Sequence, residues 1–111
     1  MRPLSATRHE SLNAMNDITA VIPVRNEEAN LEVLVSRLTS VFEKMRLSHE
    51  IIFVTDVNTD NTLGVLRKLH DKDDRIRVLK LSNAFGHHAA VYAGLAHAEG
   101  KSVVIMDGDL Q

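Results

Sequence analysis

Short apolar runs alternate with stretches of helical periodicity along this chain. Ile18 to Val24 is apolar and rich in β-branched residues, and Pro23 near its end is placed to stop a strand and shape the loop that follows. Leu31, Leu34, Val35, Leu38, Val41, Phe42 and Met45 then recur at spacings of three and four, which predicts an amphipathic helix over roughly residues 27 to 46. Glu27, Glu28 and Glu32 sit near its start, where the helix dipole favours negative charge. His49 to Val54 is a continuous apolar run with polar flanks, the pattern of a strand buried on both faces. Thr59, Asp60, Asn61 and Thr62 supply candidate N-caps for a second helix with apolar positions Leu63, Leu66 and Leu69, ending in the polar run Asp71 to Arg75. Arg77 to Leu81 predicts a third strand. Gly86 opens an alanine-dense segment that stops at Gly100, and Ser102 to Met106 predicts a fourth strand.

Strand and helix thus alternate three times before a last strand, with short connections. That order predicts an α/β fold, a Rossmann-like parallel sheet with helices on both faces. Right-handed crossovers restrict it to doubly wound topologies, in which ligands bind beyond the carboxyl ends of the strands where the strand order reverses. Four loops fall there: Arg25 to Asn30, Thr55 to Asn61, Ser82 to His88, and Asp107 to Gln111.

At 111 residues, with 44% hydrophobic and 25% charged content, the chain suits one small domain, expected over residues 18 to 111 behind a flexible leader, residues 1 to 17. The leader has Arg2 and Arg8 but no continuous apolar segment of the signal-peptide kind. A net charge of -2 with no block of like charges argues against a nucleic-acid partner. The absence of cysteine excludes disulfides, thiolate metal sites and a Cys nucleophile, and fits a cytoplasmic setting. No run approaches the eighteen or so apolar residues that a membrane-spanning helix needs.

The chemistry concentrates at the end of the fourth strand. If Asp107 to Gln111 is extended, Asp107, Asp109 and Gln111 lie on one side, three oxygen donors in a row. Hard cations such as Mg2+ take such ligands, with substrate phosphates and water completing the shell. Alone, Asp-Gly-Asp is far more often a turn than a metal site. Asn26, Glu27 and Glu28 likewise fit a helix start on local sequence, and Asp56 and Asp60 fit turn and cap positions, the reading kept for Asp60. His87 and His88 are neighbours that would point different ways on a helix, with no third ligand at metal-site spacing, so they read as helix-start or core residues.

Taken together, Val21-Ile22-Pro23-Val24-Arg25-Asn26-Glu27-Glu28, Glu50-Ile51-Ile52-Phe53-Val54-Thr55-Asp56, Asn83-Ala84-Phe85-Gly86-His87 and Met106-Asp107-Gly108-Asp109-Leu110-Gln111 closely resemble the family-2 inverting nucleotide-sugar glycosyltransferases. Within them the likeness is to the polyprenyl-phosphate group, the dolichyl-phosphate mannose synthases and bacterial undecaprenyl-phosphate sugar transferases. It spans roughly residues 18 to 111 and implies the N-terminal half of a GT-A nucleotide-diphosphosugar transferase fold. By this resemblance Pro23, Arg25, Asn26, Glu27, Asp56 and Asp107 are candidate nucleotide contacts. Asp107, Asp109 and Gln111 are candidate ligands for Mg2+ or Mn2+, with Gly108 where alanine is common. Two departures stand out. Arg25 replaces a usual aromatic residue, so a contact there changes to a guanidinium that can stack on a base or reach a phosphate. The usual Asp-Asp-Gly-Ser appears as Thr55-Asp56-Val57-Asn58, which leaves nucleoside selectivity open.

The implied activity is sugar transfer with inversion, a hexosyltransferase reaction, from a nucleotide-diphosphosugar to an acceptor, here a lipid phosphate of the polyprenyl type. The catalytic residues of the acceptor side belong to later sequence and are unknown. The chain is therefore expected to be the donor-binding part of a longer enzyme, inactive alone, with the parent at the cytoplasmic face of a membrane. The fourth strand would then offer an unpaired apolar edge for self-association. A non-catalytic nucleotide-binding module is the alternative. A response-regulator receiver would want an acidic pair after the first strand and an Asp where Leu81-Ser82-Asn83 stands, and a dinucleotide oxidoreductase would want glycines that Pro23 to Asn30 lacks.

Overall fold

The computed structural model describes residues 15–82 and 86–108. Four parallel strands, β1 (Ile18–Val24), β2 (His49–Thr55), β3 (Ile76–Lys80) and β4 (Ser102–Ile105), form one sheet in the order β3-β2-β1-β4. Three helices connect them: α1 (Leu31–Lys44), α2 (Thr62–Lys72) and α3 (His87–His97). The chain steps outward from β1 to β3, then returns through α3 to set β4 on the other side of β1. The order reverses between β1 and β4, so their carboxyl ends flank the switch point.

The period-two alternation of the strands decides which helix covers which face. Ala20, Ile22 and Val24 of β1 and Ile51 and Phe53 of β2 pack with Leu31, Leu34, Leu38 and Phe42 of α1 and Leu66 and Leu69 of α2. Val21, Ile52 and Val54 point the other way and meet Ala90 of α3. A Cβ added to Gly94 would stand 2.3 Å from Val21 Cγ1, so the alanine- and glycine-rich composition of α3 reflects its close approach to the sheet. Val41 and Met45, counted in the apolar stripe of α1, are exposed.

Helix α1 starts at Leu31, four residues later than the periodicity and its acidic start suggested. Asn30 N–H closes a turn on Glu27 O at 2.9 Å, and the Glu27–Asn30 segment belongs to the loop. At the far end Arg46 adopts a left-handed conformation (φ 57°), and Leu47 N–H reaches back to Phe42 O at 2.9 Å, capping the helix. Asn16 and Asp17, expected in the leader, are tied to the sheet. Lys101 N–H donates to Asn16 O at 2.9 Å, and Asp17 N–H donates to Ser48 O at 3.0 Å.

The amino ends of the strands close on a buried carboxylate. Glu50 accepts from Thr19 Oγ1 at 2.6 Å, from Glu99 N–H at 2.7 Å and from Arg77 Nη1 at 2.9 Å, and Gly100 N–H donates to Thr19 Oγ1 at 2.8 Å. This network ties the α3–β4 connection to β1 and β2 at the edge opposite the switch point. Strand β4 flanks β1 alone, and Val103, Val104 and Ile105 are exposed. Among the described residues no helix is long and apolar enough to cross a membrane.

Candidate functional site

All four strands point their carboxyl ends to one edge, so the loops after Val24, Thr55 and Ile105 meet there. Pro23 is tolerated near the end of an internal strand because the β1–β4 ladder has already ended, at Val21↔Ile105 with Met106 N–H on Val21 O at 3.0 Å. Beyond Val24 the chain turns through Asn26, which takes a left-handed conformation (φ 54°) that asparagine accepts more readily than most residues.

The first two loops are fastened to each other. Asn26 N–H donates to Asn58 Oδ1 and Thr59 N–H donates to Asn26 Oδ1, both at 2.8 Å. Glu27 N–H donates to the buried Thr62 Oγ1 at 2.9 Å, and Asn61 N–H donates to Glu28 Oε1 at 3.1 Å. Asp60 accepts from Thr62 N–H at 3.0 Å and from Glu28 N–H at 3.3 Å, a structural role one position ahead of Asn61, the N-cap of α2. The Glu27 carboxylate takes a bond from Asn30 Nδ2 at 3.3 Å and faces a hollow shared with Asn26, Glu28 and Asp60. The sequence marks Asn58 as a departure and Thr62 as a candidate N-cap, but not their bonds across the loops, since Asn26 and Glu27 lie 32 and 35 positions away from them.

On the β1–β2 side of the same edge a cavity of about 220 Å³ is lined by Pro23, Val24, Arg25, Val54, Asp56, Gly86 and Ala90. Arg25 and Asp56 form a two-pronged ion pair across it, Nε to Oδ1 at 3.1 Å and Nη2 to Oδ2 at 2.5 Å. Oδ1 also accepts from Val57 N–H at 2.7 Å. Hydrogen bonding from Arg25 holds the Asp56 carboxyl below its ordinary range against the opposing effect of burial, and the same bonds raise Arg25. The Asp56 side chain is 10% exposed and that of Arg25 is 52% exposed, so the guanidinium is the group presented to a ligand. Gly86 lines the cavity at the start of α3 with φ 88°, the left-handed region that favours glycine.

The loop after β4 lies against the end of β1. A Cβ on Gly108 would stand 2.4 Å from Val24 Cγ1 and 3.1 Å from Pro23 O, so Asp107 follows β4 directly beside the Pro23–Arg25 turn. Asp107 is exposed and offers the hard oxygen donor that Mg2+ or Mn2+ takes. Asp109 and Gln111 lie outside the described residues. Among the described residues no three acidic or histidine side chains converge as a metal site. The structure thus brings Pro23, Arg25 and Asp56 to one cavity, turns Asn26 and Glu27 toward the loop junction, and sets Asp107 at the switch point.

The sequence profile of Glycosyl transferase family 2 matches residues 19–111. An uncharacterized glycosyltransferase of Synechocystis is 39% identical over 95 residues, covering 86% of this chain and 30% of the relative. The undecaprenyl-phosphate 4-deoxy-4-formamido-L-arabinose transferase of Proteus mirabilis is 33% identical over 98 residues, covering 87% of this chain and 30% of that enzyme. The chain therefore spans about a third of the length of these relatives. Among solved structures, S. aureus TarS 1–349 in complex with UDP-GlcNAc superposes with a TM-score of 0.69 at 28% identity, over 84% of this chain and 26% of that chain. The parallel sheet with flanking helices is thus similar to that of GT-A glycosyltransferases.

Proposed function

The chain belongs to glycosyl transferase family 2, and from that premise we propose that it forms the donor-binding part of a metal-dependent inverting glycosyltransferase acting on a nucleotide-diphosphosugar. The observation that carries this reading is the cavity of Pro23, Arg25 and Asp56 beyond the carboxyl ends of β1 and β2, with Asp107 on the other side of β1 after β4. A nucleoside fits the cavity side, and its diphosphate runs toward Asp107. The complex of TarS with UDP-GlcNAc supports a donor of this class. Asp107 and Asp109, with Gln111, are the residues that would hold Mg2+ or Mn2+, which when bound supplies positive charge to the departing nucleoside diphosphate.

The acceptor is a polyprenyl phosphate, a reading supported by the undecaprenyl-phosphate transferase among the relatives. A lipid phosphate attacks through an oxygen already ionised near neutral pH, its second pKa being about 6, so little is asked of a general base. The parent then works at the cytoplasmic face of a membrane. The chain's own residues enclose the base, orient the ribose end through the fastened Arg25–Asn30 and Thr55–Asn61 loops, and aim the diphosphate at the carboxylates of the β4 loop.

Calorimetric titration with UDP and GDP, with and without Mg2+ or Mn2+, tests the reading. Metal-dependent binding that Asp109→Ala abolishes is the expected result; metal-independent binding indifferent to Asp109→Ala would overturn it. A second reading, a nucleotide-binding module without turnover, draws on Arg25, which engages the Asp56 carboxylate from within the cavity. Binding without sugar transfer by a longer chain carrying this domain would favour it.

A further inference from the structure

Among the described residues Arg25 is the one cationic side chain lining the cavity, and its bonds to Asp56 fix which part of it is left to bind. A guanidinium is a planar donor with N–H groups on every nitrogen and no acceptor. Nε donates to Asp56 Oδ1 at 3.1 Å and Nη2 to Oδ2 at 2.5 Å, which spends the side edge of the plane. The end edge remains, where Nη1 and Nη2 each direct an N–H outward in parallel, and among the described residues it has no partner. Asp56 is itself tied down, because Oδ1 also accepts Val57 N–H at 2.7 Å. The carboxylate is the inner, nearly buried member of the pair, so the open edge belongs to the half-exposed guanidinium.

Two parallel N–H groups on a cation match two oxygens on one centre, the geometry of a phosphate or a carboxylate. Position decides between them. Arg25 directly follows Val24, and Gly108 packs against Val24 and Pro23, so a diphosphate reaching Asp107 from the cavity crosses the turn that carries Arg25. We propose that Arg25 binds a phosphate group of the donor through its Nη1–Nη2 edge, and that Asp56 is a positioning residue that holds the guanidinium in that orientation. The pairing offsets part of the charge on Arg25. In exchange it orders a long side chain before the ligand arrives, which removes that entropy cost from binding.

This inference rests on the donor-site reading, and the test separates the two. Pyrophosphate, which has no base, and UDP are titrated in the presence of Mn2+ against the wild-type chain, Arg25→Ala, Arg25→Lys and Asp56→Asn. Arg25→Ala is expected to weaken both ligands by about tenfold, the worth of charge-assisted hydrogen bonds to an anion. Arg25→Lys should recover part of that loss, because an ammonium still meets a phosphate as a point charge. Asp56→Asn should weaken pyrophosphate although it removes a negative charge, since a single amide oxygen cannot hold the fork. Pyrophosphate bound more tightly by Asp56→Asn overturns the positioning role. A loss of UDP binding in Arg25→Ala with pyrophosphate unaffected puts the guanidinium on the nucleoside and overturns the phosphate contact. Both ligands bound alike by wild type and Arg25→Ala overturns the whole inference and leaves the donor site standing. A wild type that binds neither ligand overturns both.

Discussion

Asn26 and Asn58 hold two site loops together. The Asn26 amide N–H donates to Asn58 Oδ1 at 2.8 Å, and Asn58 Nδ2 in turn donates to Thr55 Oγ1 at 2.8 Å. The departures from the family pattern at positions 55 and 58 are therefore one device: Thr55 anchors Asn58, which anchors the left-handed turn at Asn26. Asn58→Ala leaves the Asn26 N–H without its acceptor, and a net loss of about 1 kcal/mol is expected, since the site is partly solvated. A urea midpoint shifted down with unchanged slope would show it. Asn26→Gly should cost less than Asn26→Ala, because glycine accepts the positive φ and alanine does not; equal losses would mean that the turn is not held in that conformation.

The contrast with the sequence reading lies in this loop pair. The strands could be read to within about a residue because burial on two faces writes a continuous apolar run, and the split of Ala20, Ile22 and Val24 from Val21 follows from a period of two. Asn26, Glu27 and Glu28 looked like a helix start because local composition favours one. What removes them from the helix is hydrogen bonding to residues 58 to 62, a pairing that exists only once β1 and β2 are side by side. Arg25 and Asp56 were legible as separate positions, one a departure and one a match; their ion pair was not, since β-sheet register and not spacing brings them together.

Stability should fall with pH first through His49. The residue is 2% exposed, its ring centroid lies 5.0 Å from that of Phe42, and among the described residues Nε2 has no hydrogen-bond partner. Burial is the main cause lowering its pKa from 6.5, helped by Arg75, while the Leu47 backbone, Asp73 and Glu43 oppose. A base whose folded pKa is depressed is held neutral in the native state, so the unfolded chain binds the extra proton first. Stability is complete above about pH 6.5 and declines as pH falls from there toward the lower folded value. His49→Phe removes this titration, and denaturation followed from pH 7 to 5 should show a flatter slope for the variant. The lowered carboxylates Asp56 and Asp73 act in a separate window, below about pH 4.

Glu50 should be intolerant of substitution although it lies far from the site. Burial opposes its ionisation, but bonds from Thr19, the Glu99 backbone and Arg77 outweigh that and hold its pKa low. Glu50→Ala strips three donors of their acceptor at once, a loss of about 2 to 4 kcal/mol. Glu50→Gln keeps the shape but gives up the charge and turns one acceptor into a donor, and should fall between. Thermal unfolding ranks the three proteins; a Gln variant as stable as wild type would reduce Glu50 to a neutral hydrogen-bond hub.

The outer strand predicts association. Val103, Val104 and Ile105 are 39%, 36% and 49% exposed on a strand with one neighbour, an apolar template for pairing with a second copy. Sedimentation is expected to show concentration-dependent self-association of this chain, relieved by Val104→Lys, which places a charge in the edge. A monomer at all concentrations in both proteins would show that the edge is protected.

Gly108 links packing to the site. Its absent Cβ would fall 2.4 Å from Val24 Cγ1 and 3.1 Å from Pro23 O, so alanine, common at this place in the family, does not fit here unless Val24 yields. Gly108→Ala is expected to push the Asp107 loop off the end of β1, at a stability cost of about 1 to 3 kcal/mol from overpacking and with weaker metal-dependent nucleotide binding. Val24 is buried against the α1 face, so Val24→Ala has its own cost, yet it opens the space that the new methyl needs. The double variant should therefore lose less than the sum of the single changes, a positive coupling visible in both the unfolding midpoint and the affinity for UDP with Mn2+. Strict additivity would place Gly108 out of contact with Val24 and detach the carboxylate loop from the turn that carries Arg25.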